Sequence, residues 1–159
     1  AKKTASAIVE FAAQNSVDVI VMEHLDFKCC KKRGSKAQKL SMWNHGAIRK
    51  CVEQKAHLRG IRIATIYAWK TSALAFDGSG SVARDDNNHA LATFTTGKQY
   101  NCDLSASYNI GARYFIRELL KSLSATEESR VKAKVPDVGR RTSCTLSTLR
   151  ALVKELSAA

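Results

Sequence analysis

"VDVIVMEHL", residues 17–25, is the stretch on which the fold turns. Val17, Val19, Ile20, Val21 and Met22 form a short apolar run of strand length, the kind buried on both faces of a sheet. The run ends directly in Glu23 and His24. In open α/β sheets, sites form outside the carboxyl ends of the strands. A strand that delivers an acid there is a candidate site element.

The flanks read as helices. Upstream, Ile8, Val9, Phe11, Ala12 and Ala13 mark a short amphipathic helix over 4–14, with Thr4 available as its N-cap and Asn15-Ser16 as its break. Downstream, Trp43, Ala47, Ile48, Cys51, Val52, Lys55 and Ala56 recur at three- and four-residue spacing over 41–59, and Gly60 follows as a C-terminal stop. "IRIATIYAW", residues 61–69, alternates and is rich in β-branched residues, so it predicts a second strand. Strand, helix, glycine, strand implies parallel pairing through a right-handed crossover, and an α/β class.

The remainder is less regular. Residues 71–102 are rich in Ser, Thr and Asn and contain Gly78, Gly80 and Gly97; they predict an excursion with a short hairpin around "HALATFTTGKQY". A long helix follows over 103–123, with Ile110, Tyr114, Ile116, Leu119, Leu120 and Leu123 as its buried side and Asp103 at its start. Residues 124–141 are polar, hold Pro136, and read as a linker before a closing helix over 145–156. Trp43 and Trp69 are expected in the core, and His24, His45, His57 and His89 stand isolated with no catalytic assignment.

Charge narrows the function classes. The 159 residues carry 26 Lys+Arg against 14 Asp+Glu, a net charge of +12. That excess favours a polyanion, nucleic acid ahead of a membrane surface, because each neutralised phosphate releases condensed counterions. A solvated basic surface is the plain alternative. The most basic stretch is "FKCCKKRGSKAQKL", residues 27–40, where Lys28, Lys31, Lys32, Arg33, Lys36 and Lys39 surround Gly34-Ser35 without apolar periodicity. It reads as a basic loop suited to phosphates.

No apolar run approaches the ~18 residues of a membrane span, and no signal-peptide pattern opens the sequence. The five cysteines, Cys29, Cys30, Cys51, Cys102 and Cys144, show no CxxC spacing and read as reduced thiols. The expected location is therefore cytoplasmic, in association with nucleic acid. Because Ala1 opens inside a helical pattern, the chain is expected to be a fragment or a processed product.

Glu23 at a strand end and Asp103 at a helix start are the two carboxylates placed for chemistry. Hard cations such as Mg²⁺ take a few carboxylate oxygens and complete their shell with water and phosphate. Acids gathered at one sheet edge of a basic protein suit two-metal phosphodiester hydrolysis. Each residue also has an ordinary reading: Asp103 as a helix cap, and Glu23 as a solvated strand end.

"VDVIVMEHLDF", "LSMWNHGAIRKCVEQKAHLRGIRIATIYAWKTS" and "NCDLSASYNIGARYFI" together resemble the C-terminal RuvC-like nuclease region of the TnpB family, transposon-encoded RNA-guided endonucleases related to type V CRISPR effectors. The order fits over 4–123, and the D-x-x-A-x-x-N-I pattern at 103–110 is its most specific part. The resemblance implies a partial RNase H-like (RuvC) fold over 1–125, with parallel strands flanked by helices and its N-terminal strands missing, and a linker and helix over 126–159. It implies that Glu23 and Asp103 are the second and third catalytic carboxylates and bind Mg²⁺ or Mn²⁺. It also makes Lys28, Lys31, Lys32, Arg33, Lys36 and Lys39 nucleic-acid contacts and matches Lys70, Thr71 and Ser72 to the segment after the last core strand. DNA and a guide RNA are the implied partners. Arg113, ten positions after Asp103 on the same helix, is a phosphate-contact candidate with structural pairing as its alternative.

Two departures qualify the match. The family's zinc ribbon carries two CxxC pairs, but here Ala75 and Gly78, then Thr93 and Thr96, stand at those positions. Tetrahedral zinc needs thiolate or imidazole ligands, so the expectation for 71–102 is a degenerate ribbon without zinc, held by its own hydrogen bonds. The first catalytic aspartate belongs on an earlier strand. Asp18 cannot replace it, since it enters the strand of Glu23 about 16 Å before that residue. Completion by an N-terminal part of the polypeptide or by a partner chain is therefore expected. Two alternatives remain: a catalytically inactive nucleic-acid-binding remnant, and a structural fragment with no retained activity.

Overall fold

The computed structural model describes residues 1–24, 45–140 and 142–158. The chain divides into two compact units, Ala1–Ala64 and Thr65–Ala159.

The first unit begins with helix α1, Lys2–Gln14, which buries Ala5, Val9 and Ala12 at four- and three-residue spacing. The helix starts from Ala1, not from a Thr4 cap. It stops where Asn15 Nδ2 folds back on the Phe11 carbonyl (2.8 Å) and Ser16 turns to φ 52, a left-handed C-terminal ending. Phe11, expected on the apolar side, is 68% exposed. It sits two positions from Val9, which on a helix is the opposite face.

Strand β1, Val19–His24, follows, and helix α2, described over His45–His57, leads to β2, Arg62–Tyr67. The two strands form a two-stranded parallel sheet, with Arg62 N–H donating to the Asp18 carbonyl (2.9 Å) at its entry. Gly60, at φ 70, ends the helical turn before β2, as its place in the sequence implied. The core is Ala5, Val9, Ala12, Val52, Ala56 and Ile61, with Ile20 and Met22 of β1 and Ile63 of β2 packed against it. This corrects the reading of β1 as buried on both faces. None of its residues is fully buried, and only the Ile20/Met22 set is packed on the helices.

The second unit carries a three-stranded antiparallel sheet, β3 (Ala83–Arg84), β4 (Leu91–Thr93) and β5 (Gln99–Asn101). Ala92 faces Tyr100, and Arg84 faces Ala92, in its register. The expected hairpin is the β4–β5 pair. Helix α3, Cys102–Lys121, leaves β5 directly. The segment read as a linker is a correction. It folds as helix α4, Ala125–Lys134, and a 3-10 turn, Pro136–Gly139, before the closing helix α5, Leu146–Ser157. Its S-x-x-E signal forms a capping box in which Ser124 and Glu127 satisfy each other's backbone N–H. The apolar pattern of α4 was too sparse to read because Val131 is its one fully buried residue. That valine shares a core with Ile116 of α3, Val138, Cys144 and Leu152 of α5.

Candidate metal and nucleic-acid site

Glu23 is the penultimate residue of β1 and is half-buried, on the opposite side of the strand from the helix-packed Ile20 and Met22. Asp103 is the second residue of α3 and is exposed. The two therefore stand at the kinds of position the sequence implied, a strand's carboxyl end and a helix's amino end, one in each unit. Among the described residues no three His, Cys, Asp or Glu side chains gather as a metal-holding group.

The ordinary reading of Asp103 as the helix cap is displaced by its neighbour. Asn101 is the N-cap, and its Oδ1 accepts from the N–H of Asp103 (3.0 Å) and of Leu104 (2.9 Å). The Asp103 carboxylate keeps the favourable field of the helix N-terminus without being needed to close the helix.

Arg113 is corrected as a phosphate contact. It is buried, and its guanidinium is spent on four main-chain carbonyls. Nε donates to Cys144 O (3.2 Å), one terminal nitrogen to Tyr67 O (2.9 Å) and Trp69 O (2.8 Å), and the other to Thr142 O (2.9 Å). Burial pushes its pKa down, a cost that these acceptors offset. Structural pairing is what this arginine does. The six basic residues of the loop, Lys28, Lys31, Lys32, Arg33, Lys36 and Lys39, lie outside the described residues, as does Trp43.

Asn109, within the D-x-x-A-x-x-N-I pattern, is a second organising residue that sequence reasoning did not single out. It is fully buried in the middle of α3. Its Nδ2 donates to Thr71 O (3.0 Å) and Leu74 O (2.9 Å), and its Oδ1 accepts from the Leu146 N–H (3.2 Å). The helix that bears Asp103 is thereby tied to the start of the ribbon and to the start of α5. An asparagine on the otherwise apolar side of a long helix was the available signal.

The ribbon is organised around rings. At the four positions that the resemblance alone would give to zinc thiolates, Ala75 is buried, Gly78 bears no side chain, and Thr93 and Thr96 offer hydroxyls. That donor set does not fit zinc. Instead Phe76 packs against Phe94 (5.6 Å between centroids), Tyr100 (5.0 Å) and Tyr108 (5.2 Å). Lys98 Nζ lies over the rings of Phe76 (4.8 Å) and Tyr100 (5.0 Å). Hydrogen bonds do close its turns, Ala75 N to Gly80 O (2.9 Å) and Phe94 N to Lys98 O (2.8 Å). Beside the expected hydrogen bonds stands an aromatic core that the sequence reading did not include, in which edge-to-face and cation–π contacts add to simple burial.

Trp69 is a third difference. Expected in the core, it is 59% exposed, and Tyr67 beside it is 55% exposed. The turn after β2 leads the chain out of the sheet before Trp69 can reach a core position.

No protein-family model matches the chain, and no curated protein matches it.

Proposed function

We propose that the chain is the C-terminal part of an RNA-guided, metal-dependent DNA endonuclease of TnpB type, built on a partial RuvC-like fold. The observation that carries this reading is an order of elements. A strand whose penultimate residue is Glu23 is followed by a helix and a parallel second strand, then by an antiparallel ribbon that leads straight into a helix whose second residue is Asp103. A net charge of +12 supports a nucleic-acid substrate.

In this reading Glu23 and Asp103 would hold Mg²⁺ or Mn²⁺, which supplies charge stabilisation and an activated water at the scissile phosphate. The chain's own contribution is placement. The helix N-terminus at Asp103 favours negative charge at that spot, and Asn109 and Arg113 fix the helix against the ribbon and the end of β2. The basic loop would contact the phosphate backbone, while a guide RNA reads sequence by pairing. A further carboxylate would come from an N-terminal part of the polypeptide or from a partner chain.

The test is Mg²⁺- or Mn²⁺-dependent cleavage of labelled single- and double-stranded DNA by the chain with a family-type N-terminal segment and guide RNA supplied, beside Glu23→Ala and Asp103→Ala. Cleavage abolished by either substitution is the expected result. Salt-sensitive DNA binding without cleavage, indifferent to both substitutions, would instead mark an inactive nucleic-acid-binding remnant.

A further inference from the structure

The end of β2 is held from one side by two arginines of α3. Carbonyl oxygens of Thr65, Tyr67 and Trp69, at alternate positions along the chain, accept from Arg117 (3.0 Å), Arg113 (2.9 Å) and Arg113 (2.8 Å) respectively. The backbone that carries Tyr67 and Trp69 is therefore fixed while both rings stand more than half exposed. Scattered exposed apolar residues are normal on a protein surface. Two large rings two positions apart on a pinned backbone are a built feature.

The next residue adds charge against a conformational preference. Lys70 occupies φ 62 in the turn that Thr71 N–H closes on Ala68 O (3.1 Å). Glycine or asparagine is the usual occupant of such a position. Lysine is exposed there instead. The sequence holds no acidic residue between Glu53 and Asp77. Of the acids on α3 beyond Asp103, Glu118 is already engaged by Arg117 (2.9 Å) and Lys121 (3.1 Å).

We propose that Tyr67 and Trp69 form a stacking platform for the bases of single-stranded DNA, with Lys70 set against the adjoining phosphate. Aromatic faces accept any base, and a fixed backbone lowers the ordering cost of binding. A protein partner would gain less from two rings whose adjoining exposed charge is the cationic Lys70. The inference rests on the nucleic-acid part of the function proposed above and is independent of cleavage.

The experiment uses the full chain carrying Trp43→Phe, so that Trp69 is the sole tryptophan. Its emission is titrated with short oligo(dT) and, separately, with dextran sulfate, a polyanion without bases. Saturable quenching by oligo(dT) alone is expected. Trp69→Ala and Tyr67→Ala, read by retention of labelled oligo(dT), should each weaken binding about tenfold, and Trp69→Phe should recover most of it. Lys70→Gly should raise the melting temperature while weakening binding. Oligo(dT) bound equally well by Trp69→Ala, with no quenching in the parent, would overturn the platform and leave general electrostatic binding. Base-dependent quenching, with no cleavage once the N-terminal segment and guide RNA are supplied, would keep the platform and remove the nuclease. No retention of any nucleic acid would overturn both.

Discussion

Gly78 and Ser147 approach so closely that a Cβ on the glycine would lie 2.8 Å from the Ser147 Cβ and 2.9 Å from its Oγ. The first turn of the ribbon is thus closed by the start of α5, where Ser147 N–H also donates to Phe76 O (3.0 Å). The family resemblance places a zinc-binding cysteine at this position, yet no side chain fits here.

Gly78→Ala should therefore destabilise by about 2–4 kcal/mol, combining a left-handed φ of 82 with overpacking. Gly97 supplies the control. It has the same φ of 82, but nothing lies within 4 Å of its added Cβ. Gly97→Ala should cost only the backbone part, about 1–2 kcal/mol. Urea midpoints of the two variants measure the difference, and equal losses would mean that Ser147 moves aside freely.

Arg113→Lys should be nearly as damaging as Arg113→Ala, at about 3 kcal/mol or more. A lysine has the charge but not the planar fork that reaches Cys144, Tyr67, Trp69 and Thr142 together. Full recovery of the melting temperature by lysine would show that charge alone sufficed.

Asn101 and Asp103 should separate stability from function. Asn101→Ala removes the acceptor for two helix N–H groups and should cost about 1 kcal/mol. Asp103→Asn loses only a surface helix-end charge, about 0.5 kcal/mol, but on the function proposed above it should abolish metal-dependent cleavage once the N-terminal segment and guide RNA are supplied. Thermal unfolding and cleavage measured on the same two proteins check both halves.

Acid should unpick the α4 cap. The Ser124 hydroxyl, donating at 2.6 Å, and then its backbone N–H, at 2.9 Å, hold the Glu127 carboxyl below a glutamate's ordinary 4.5. A carboxyl depressed in the folded state adds stability that is complete above 4.5 and is lost as pH falls through the lowered folded value. The gap in urea midpoint between the parent and Glu127→Gln should accordingly narrow as pH is taken from neutrality to below that value. A gap independent of pH would count against the charged capping box.

Much of the architecture was legible because its signals are local. Val19–Met22, the α2 spacing around Val52 and Ala56, and Gly60 after the helix each announce an element within a dozen residues. The α4 helix was not legible, because one buried valine and a cap do not make a periodic pattern. Trp69 was misread for a related reason: its chemistry suits a core, and only the path of the chain after β2 exposes it.

The candidate site divides along the same line. By itself the sequence determined the α/β class, the basic charge, and the presence of Glu23 and Asp103 at element ends, since periodicity and composition are properties of neighbouring residues. Tertiary structure alone decided that Asn109 ties the helix to the ribbon and to α5 and that Arg113 is spent on four carbonyls. It also decided that rings occupy the centre of the ribbon and that Gly78 leaves no room for a ligand. Those outcomes depend on which distant groups meet, as Arg113 meets Tyr67 across 46 positions of chain, and hydrogen bonds and packing at that separation leave no periodic trace in the sequence.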